Sequence, residues 1–144
     1  MEEDLLQAPP EYKLYKDNSI RVATFLGGPL VAGYLIAENY KKLGQEENMK
    51  KTWGYSVAAT ILIFGAVFMI PAIKKTPNFL IPLIYSSLTY YLVQRFQGSQ
   101  IKSHIEGGGQ LYSIWRALLA SLIGLIITVA VIFLVILLTG KEII

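Results

Sequence analysis

The sequence contains no cysteine. Disulfides, thiolate metal centres and cysteine nucleophiles are therefore excluded, while the redox compartment stays open. It contains one histidine, His104, with Glu106 two residues on. One His and one carboxylate fall short of the three or four protein ligands that zinc takes. No nucleophile or oxyanion arrangement surrounds them in the sequence, so no metal, cofactor or catalytic set is implied. Charge is scarce as well. Charged residues make up 16% of the chain, where a soluble domain carries about 25%. That is too little to cover a water-facing surface of 144 residues. The net charge of +3 is mild, and the basic residues fall in short clusters between apolar runs. This is the pattern of membrane flanks, and it argues against a nucleic-acid surface. Basic charge is missing from the start, too. Met1-Glu2-Glu3-Asp4 is acidic where a secretory signal is basic, so the first apolar segment is expected to act as an uncleaved anchor.

What is present is apolar length. Hydrophobic residues make up 53% of the chain, and they gather in four segments. The first lies between Arg21 and Glu38, about 16 uncharged residues. The second runs from Gly54 to Ile73, the third lies between Lys75 and Arg95, and the fourth runs from Ala117 to Gly140. A spanning helix needs about 20 residues, with about 17 as the lower limit. The second and fourth qualify outright, the third with its polar ends, and the first only if Arg21 and Glu38 reach outward to the headgroups. The fourth is apolar all round, unlike the helix of a soluble bundle. These features predict an all-α integral membrane protein: a bundle of four transmembrane helices in two hairpins, over about 20–43, 53–73, 77–96 and 112–139. Residues 19–144 would form this one domain behind a flexible tail, 1–18, containing Ala8-Pro9-Pro10. Tyr12 and Tyr15 in that tail either rest on the membrane interface or belong to a disordered segment.

The two halves resemble one another. Each has a Tyr-Leu pair in its first helix (Tyr34-Leu35, Tyr91-Leu92), then a polar loop, then a Trp where its second helix is expected to begin (Trp53, Trp115). A duplicated pair of helices would keep its direction, giving a parallel tandem repeat. Four spans divide the basic residues almost evenly. Lys13, Lys16, Arg21, Lys74, Lys75 and Lys141 fall on one side, and Lys41, Lys42, Lys50, Lys51, Arg95, Lys102 and Arg116 on the other. Such a count leaves the orientation undecided.

Gly27-Gly28-Pro29 interrupts the first apolar segment. Proline removes one helical hydrogen bond, and in lipid the freed carbonyl must find another partner. Thr24 is within reach in sequence. A kinked, tightly packed helix is the simpler reading, and a broken helix lining a substrate site is the sharper one. Gly28 with Ala32, Gly54 with Ala58 and Ala120 with Gly124 form small-x-x-x-small pairs that let helices approach closely. No ionisable residue falls in the middle of any segment, which argues against a self-contained pump. A passive pore lined by backbone and hydroxyls remains open, with Ser86, Ser87, Thr89, Tyr90 and Tyr91 making the third segment the most polar. Hydrogen bonding between helices is the simpler use for those hydroxyls. Gly107-Gly108-Gly109 offers amides for an anion, or simply a flexible turn. Trp115 and Arg116 suit an interfacial anchor.

The chain resembles a group of small bacterial four-helix membrane proteins without an assigned activity. The resemblance rests on the Ala-Thr-Phe-x-Gly-x-Pro-Leu run at 23–30 and on Asn-Tyr-x-x-Leu-Gly at 39–44. It continues with Gln-Gly-x-x-Ile-x-x-His at 97–104, the glycines Gly107 and Gly108, and Ser-x-Trp at 113–115. It implies a multi-pass protein of the bacterial cytoplasmic (inner) membrane, and it draws attention to Asn39, Gln97, His104 and the glycine triplet. The expected partners are the lipid bilayer and either further copies of the chain or another membrane protein. Three functions follow, in order of preference: a non-enzymatic protein acting by association with itself or with a complex; a passive channel or transporter subunit; and an interfacial enzyme using His104 and Glu106.

Overall fold

The structure is a computed structural model that describes residues 9–140. The first eight residues of the expected tail, and Lys141, lie outside the described residues. Within them the chain is all-α. Its helices are α1 (Asp17–Gly27), α2 (Pro29–Lys42), α3 (Glu46–Met69), α4 (Leu80–Phe96), α5 (Gly98–Glu106) and α6 (Ile114–Thr139), with a 3-10 turn at Ile73–Lys75.

The first expected helix, 20–43, is not one helix. Gly28 adopts φ 91° and ψ 180°, a conformation that side chains disfavour and glycine accepts. Its N–H still donates to Thr24 O at 2.8 Å, closing α1. Pro29 then opens α2 at its first position, where a missing N–H costs nothing and a fixed φ helps. The chain reverses here. Tyr15, just before α1, hydrogen-bonds Asn39 near the end of α2. One straight helix would hold these residues about 36 Å apart. The segment is therefore a helical hairpin with both ends at one end of the molecule and Gly28 at its tip. The proline break is a reversal, not a kink.

This hairpin is the hub of the fold. α2 lies along α3, and α1 is held between α4 and α6. The hub helices approach their neighbours through small residues. A Cβ on Gly27 would sit 2.7 Å from Ser121 Cα. Gly124 lies under Val31, and Gly33 lies against Ser56. Ala117, Ser121 and Gly124 are the buried residues of α6, a smooth face at i, i+4 and i+7. Of the glycines in the expected small-residue pairs, only Gly124 packs in this way. Gly28 serves the reversal, and Gly54 and Ala58 face outward.

Two helices, α3 and α6, are long and apolar enough to cross a membrane. α3 starts at Glu46, earlier than expected, because Glu46 and Glu47 favour a helix N-terminus. Trp53 is thus inside α3. Helical spacing lets Glu46 and Glu47 pair with Lys50 and Lys51, but they stay apart: Lys102 with Glu106, at 4.0 Å, is the one ion pair among the described residues. The 97–111 stretch, expected as a loop, contains α5. The expected second hairpin does not close on itself, because α4 and α6 both pack on α1. α2 with α3 and α4 with α6 do keep the same directions, as a parallel repeat requires. Their packing differs, because α1 takes the place between the second pair.

Gly27→Ala drives a Cβ into the α6 backbone and should lower stability by about 1–3 kcal/mol. Gly54→Ala meets nothing within 4 Å and should leave stability unchanged or slightly raised. Thermal unfolding of both variants in one detergent separates them.

Candidate functional site

Asn39, Gln97 and His104 do gather at one end, with partners that sequence reasoning missed. Asn39 is fully buried. Its Oδ1 accepts from Tyr15 N–H at 2.8 Å, and its Nδ2 donates to Tyr15 O at 3.0 Å and to Gln97 Oε1 at 3.2 Å. Gln97, also fully buried, donates from Nε2 to Ile36 O at 3.0 Å. Two amides thus tie the segment before α1, the end of α2 and the end of α4 into one clasp.

The stretch leading into α6 is the fourth element of this clasp, held by the described part of the expected tail, from Pro9 onward. Leu14 and Tyr15 are buried, and Leu14 pairs with Leu111 as an isolated parallel bridge. Tyr112 N–H donates to Leu14 O at 2.8 Å. Arg116 Nε donates to the Tyr15 hydroxyl at 3.1 Å, and its guanidinium lies 4.4 Å above the Tyr112 ring. Burial raises the Tyr15 phenol above the ordinary tyrosine value, and the Arg116 hydrogen bond pulls it the other way.

His104 is 4% exposed. Its Nε2 lies 2.7 Å from Gln110 O, so this nitrogen carries the proton that is donated. Tyr12 stacks on the ring at 5.0 Å, and Gly109 lies against it with no room for a Cβ. Glu106 does not join it; that carboxylate is 68% exposed and pairs with Lys102. The amides of Gly107, Gly108 and Gly109 are spent on the carbonyls of Ser103, Ile105 and His104, capping α5. They are not a free anion cradle. Trp115 is 76% exposed beside the clasp and takes no part in it.

Gly27, Gly28 and Pro29 lie elsewhere, at the inner tip of the hairpin. They border a cavity of about 480 Å³ that reaches the 3-10 turn at the opposite end. Thr60 of α3, Tyr85 of α4 and Thr128 of α6 line it, with Thr76 and Asn78 at its mouth. The expected partner of the break, Thr24, instead bonds Ile20 O. Ser56 supplies the neighbouring hydroxyl, donating to Pro29 O at 2.9 Å. Nor do the hydroxyls of 86–91 bond across helices or line the cavity: Ser86 and Thr89 bond back to Leu83 O and Tyr85 O. Thr60 and Thr128 were visible in the sequence as isolated hydroxyls in apolar runs; Tyr15 carried no such signal.

Neither a family model, nor a curated protein, nor a solved structure matches this chain. Among the described residues there is no group of three metal-ligating side chains.

Asn39→Leu leaves buried amide and carbonyl groups of Tyr15 and Gln97 unpaired, at about 1–3 kcal/mol for each group left unpaired. It should lower the unfolding temperature and open 9–16 to limited proteolysis. The clasp should also loosen in alkali. A raised phenol value means that Tyr15 contributes fully below 10.0, and that this contribution is lost as the pH rises through the folded value. Tyr15→Phe should remove that part of the alkaline loss in a stability profile.

Proposed function

We propose that this chain is a multi-pass integral membrane protein of three spans and one re-entrant hairpin, working without catalysis as a passive channel or transporter subunit. The observation that carries this reading is the hairpin tip opening into the cavity. α1 and α2 are about 16 and 21 Å long, so the tip reaches past the middle of a hydrocarbon core of about 30 Å. α4, at about 26 Å, completes a span with its polar ends. Irregular backbone at that depth is tolerated where it is buried in protein or lines a water-filled space. Pro29 gives no N–H to Phe25 O, and the first amides of α2 have no helical acceptor. Water in a hydroxyl-lined vestibule meets those needs.

The re-entrant hairpin also supports an orientation. Lys13, Lys16, Arg21, Lys41, Lys42, Lys50, Lys51, Arg95, Lys102 and Arg116 now share the clasp end, whereas Lys74 and Lys75 lie at the other. Such an excess belongs on the cytoplasmic side. The clasp then closes the cytoplasmic face, and the vestibule opens outward from what the resemblance suggests is a bacterial inner membrane.

Association remains part of the reading. Three spans are too few to enclose a wide pore, and Gly54 and Ala58 leave a smooth, outward face on α3 that suits a second copy. An accessory role in a larger membrane complex uses the same face. The separation of His104 from Glu106 gives the enzymatic alternative no support.

The chain has no native cysteine, so single substitutions report without background. In intact cells, a membrane-impermeant thiosulfonate should modify Thr60→Cys and Thr128→Cys from outside and leave Ser56→Cys untouched. Protection of the first two, with modification only after denaturation, would remove the vestibule and leave association as the surviving role.

A further inference from the structure

A second groove, of about 480 Å³, runs along the outside of α6 towards α2 and α3. Its mouth is formed by Arg116, Tyr34 and Trp53, and its wall by Leu119, Ile123 and Ile127. We infer that this groove is a binding site for one anionic phospholipid of the cytoplasmic leaflet. The inference rests on the membrane reading above and is independent of the vestibule.

The chemistry of the mouth selects the headgroup. Arg116 is fixed by the Tyr15 hydroxyl through Nε and by the Tyr112 ring beneath it. Its two terminal nitrogens remain, and no carboxylate pairs with it among the described residues. The Trp53 indole, which also lines the groove, is a donor only, and among the described residues it makes no hydrogen bond. A groove lined by a guanidinium and an indole, both hydrogen-bond donors only, fits a group that only accepts, and a phosphodiester is such a group. No acid lines the groove.

The dimensions select the tail. From Arg116 to Ile127, α6 rises about 16 Å, close to one leaflet of a core about 30 Å thick. Leu119, Ile123 and Ile127 are each about half exposed, so the wall faces sideways into the bilayer. An acyl chain enters laterally, without passing through the protein. The basic end already faces the leaflet where anionic lipid accumulates. Tyr15 belongs to both the groove and the clasp, so an occupied groove adds a ligand beside the clasp's outer wall.

The two tryptophans provide the test. Trp53 lines the groove and Trp115 stands outside it. The full chain carrying Trp115→Phe is reconstituted in phosphatidylcholine vesicles and titrated with brominated phosphatidylglycerol or brominated phosphatidylcholine. Quenching of Trp53 should favour the anionic lipid by about fivefold, the share of one basic side chain at the surface. Arg116→Gln should bring the ratio near one, Arg116→Lys should keep a reduced preference, and Ala120→Phe, which fills the groove, should abolish the preference with the charge intact. Equal quenching by both lipids in the Trp115→Phe protein overturns the site and leaves the membrane reading standing. The same preference at Trp115 in a Trp53→Phe protein also overturns it, because general surface charge then suffices. No quenching by either lipid overturns the site and the membrane reading together.

Discussion

The architecture depends on one reciprocal amide contact. Asn39 presents a carbonyl and an NH₂ to the N–H and C=O of Tyr15, the same pairing that two strands exchange. It brings together residues 24 positions apart and fixes the two ends of the α1–α2 hairpin against each other. Reversal at Gly28 and Pro29 permits the hairpin, and Asn39 holds it shut. In a low-dielectric interior such a contact is strengthened, and losing half of it leaves costly orphans. A second amide, Gln97, bonds the carbonyl of Ile36 and the Asn39 amide, so α4 is tied to the same point.

The rest of the packing follows from having two short helices at the centre. A hairpin inside a ring of longer helices brings four backbones close together, and bulky side chains at the crossings would push them apart. Hence the small residues: Gly27 against Ser121, Gly124 under Val31, Gly33 against Ser56. The bulky residues of α3, α4 and α6 are turned outward, where Ile61, Leu88 and Leu137 remain more than half exposed. That inversion, small inside and large outside, suits a lipid surround, where apolar side chains gain nothing by hiding and close backbone packing supplies the association.

Helical class and the membrane-crossing length of α6 were legible, because a purely aliphatic run of that length reads as a helix apolar all round. The hairpin was not. Residues 20–43 meet the length of a span, and the feature that decides otherwise is a contact remote in sequence. Gly-Gly-Pro was a visible break, but a kink and a reversal leave the same local mark. The charges held an unread clue. Four spans divided the basic residues almost evenly, and the α1–α2 hairpin instead gathers all but Lys74 and Lys75 of those described at one end. α5 was hidden by its flanking glycines, although Ile101 and His104 at i and i+3 are its buried residues. Of the candidate positions, Asn39 and Gln97 proved to be joined, His104 stands alongside them, and Gly27–Pro29 serve a different place.

The two ends of the molecule divide their labour by how their polar groups are satisfied. At the clasp end Asn39, Gln97 and Tyr15 bond chiefly to one another and to backbone, and little is left for a solute. Among the described residues His104 Nδ1 has no partner, and Tyr12 stacks on its ring. At the hairpin tip the opposite holds. Thr60 and Thr128 satisfy their own protons by bonding back along their helices, which leaves their oxygen lone pairs facing the cavity. A saturated end resists water and an unsaturated one attracts it. For the proposed channel the barrier therefore lies in the clasp, and a hydrated solute would meet Thr76 and Asn78 at the cavity mouth before it reached the hairpin tip.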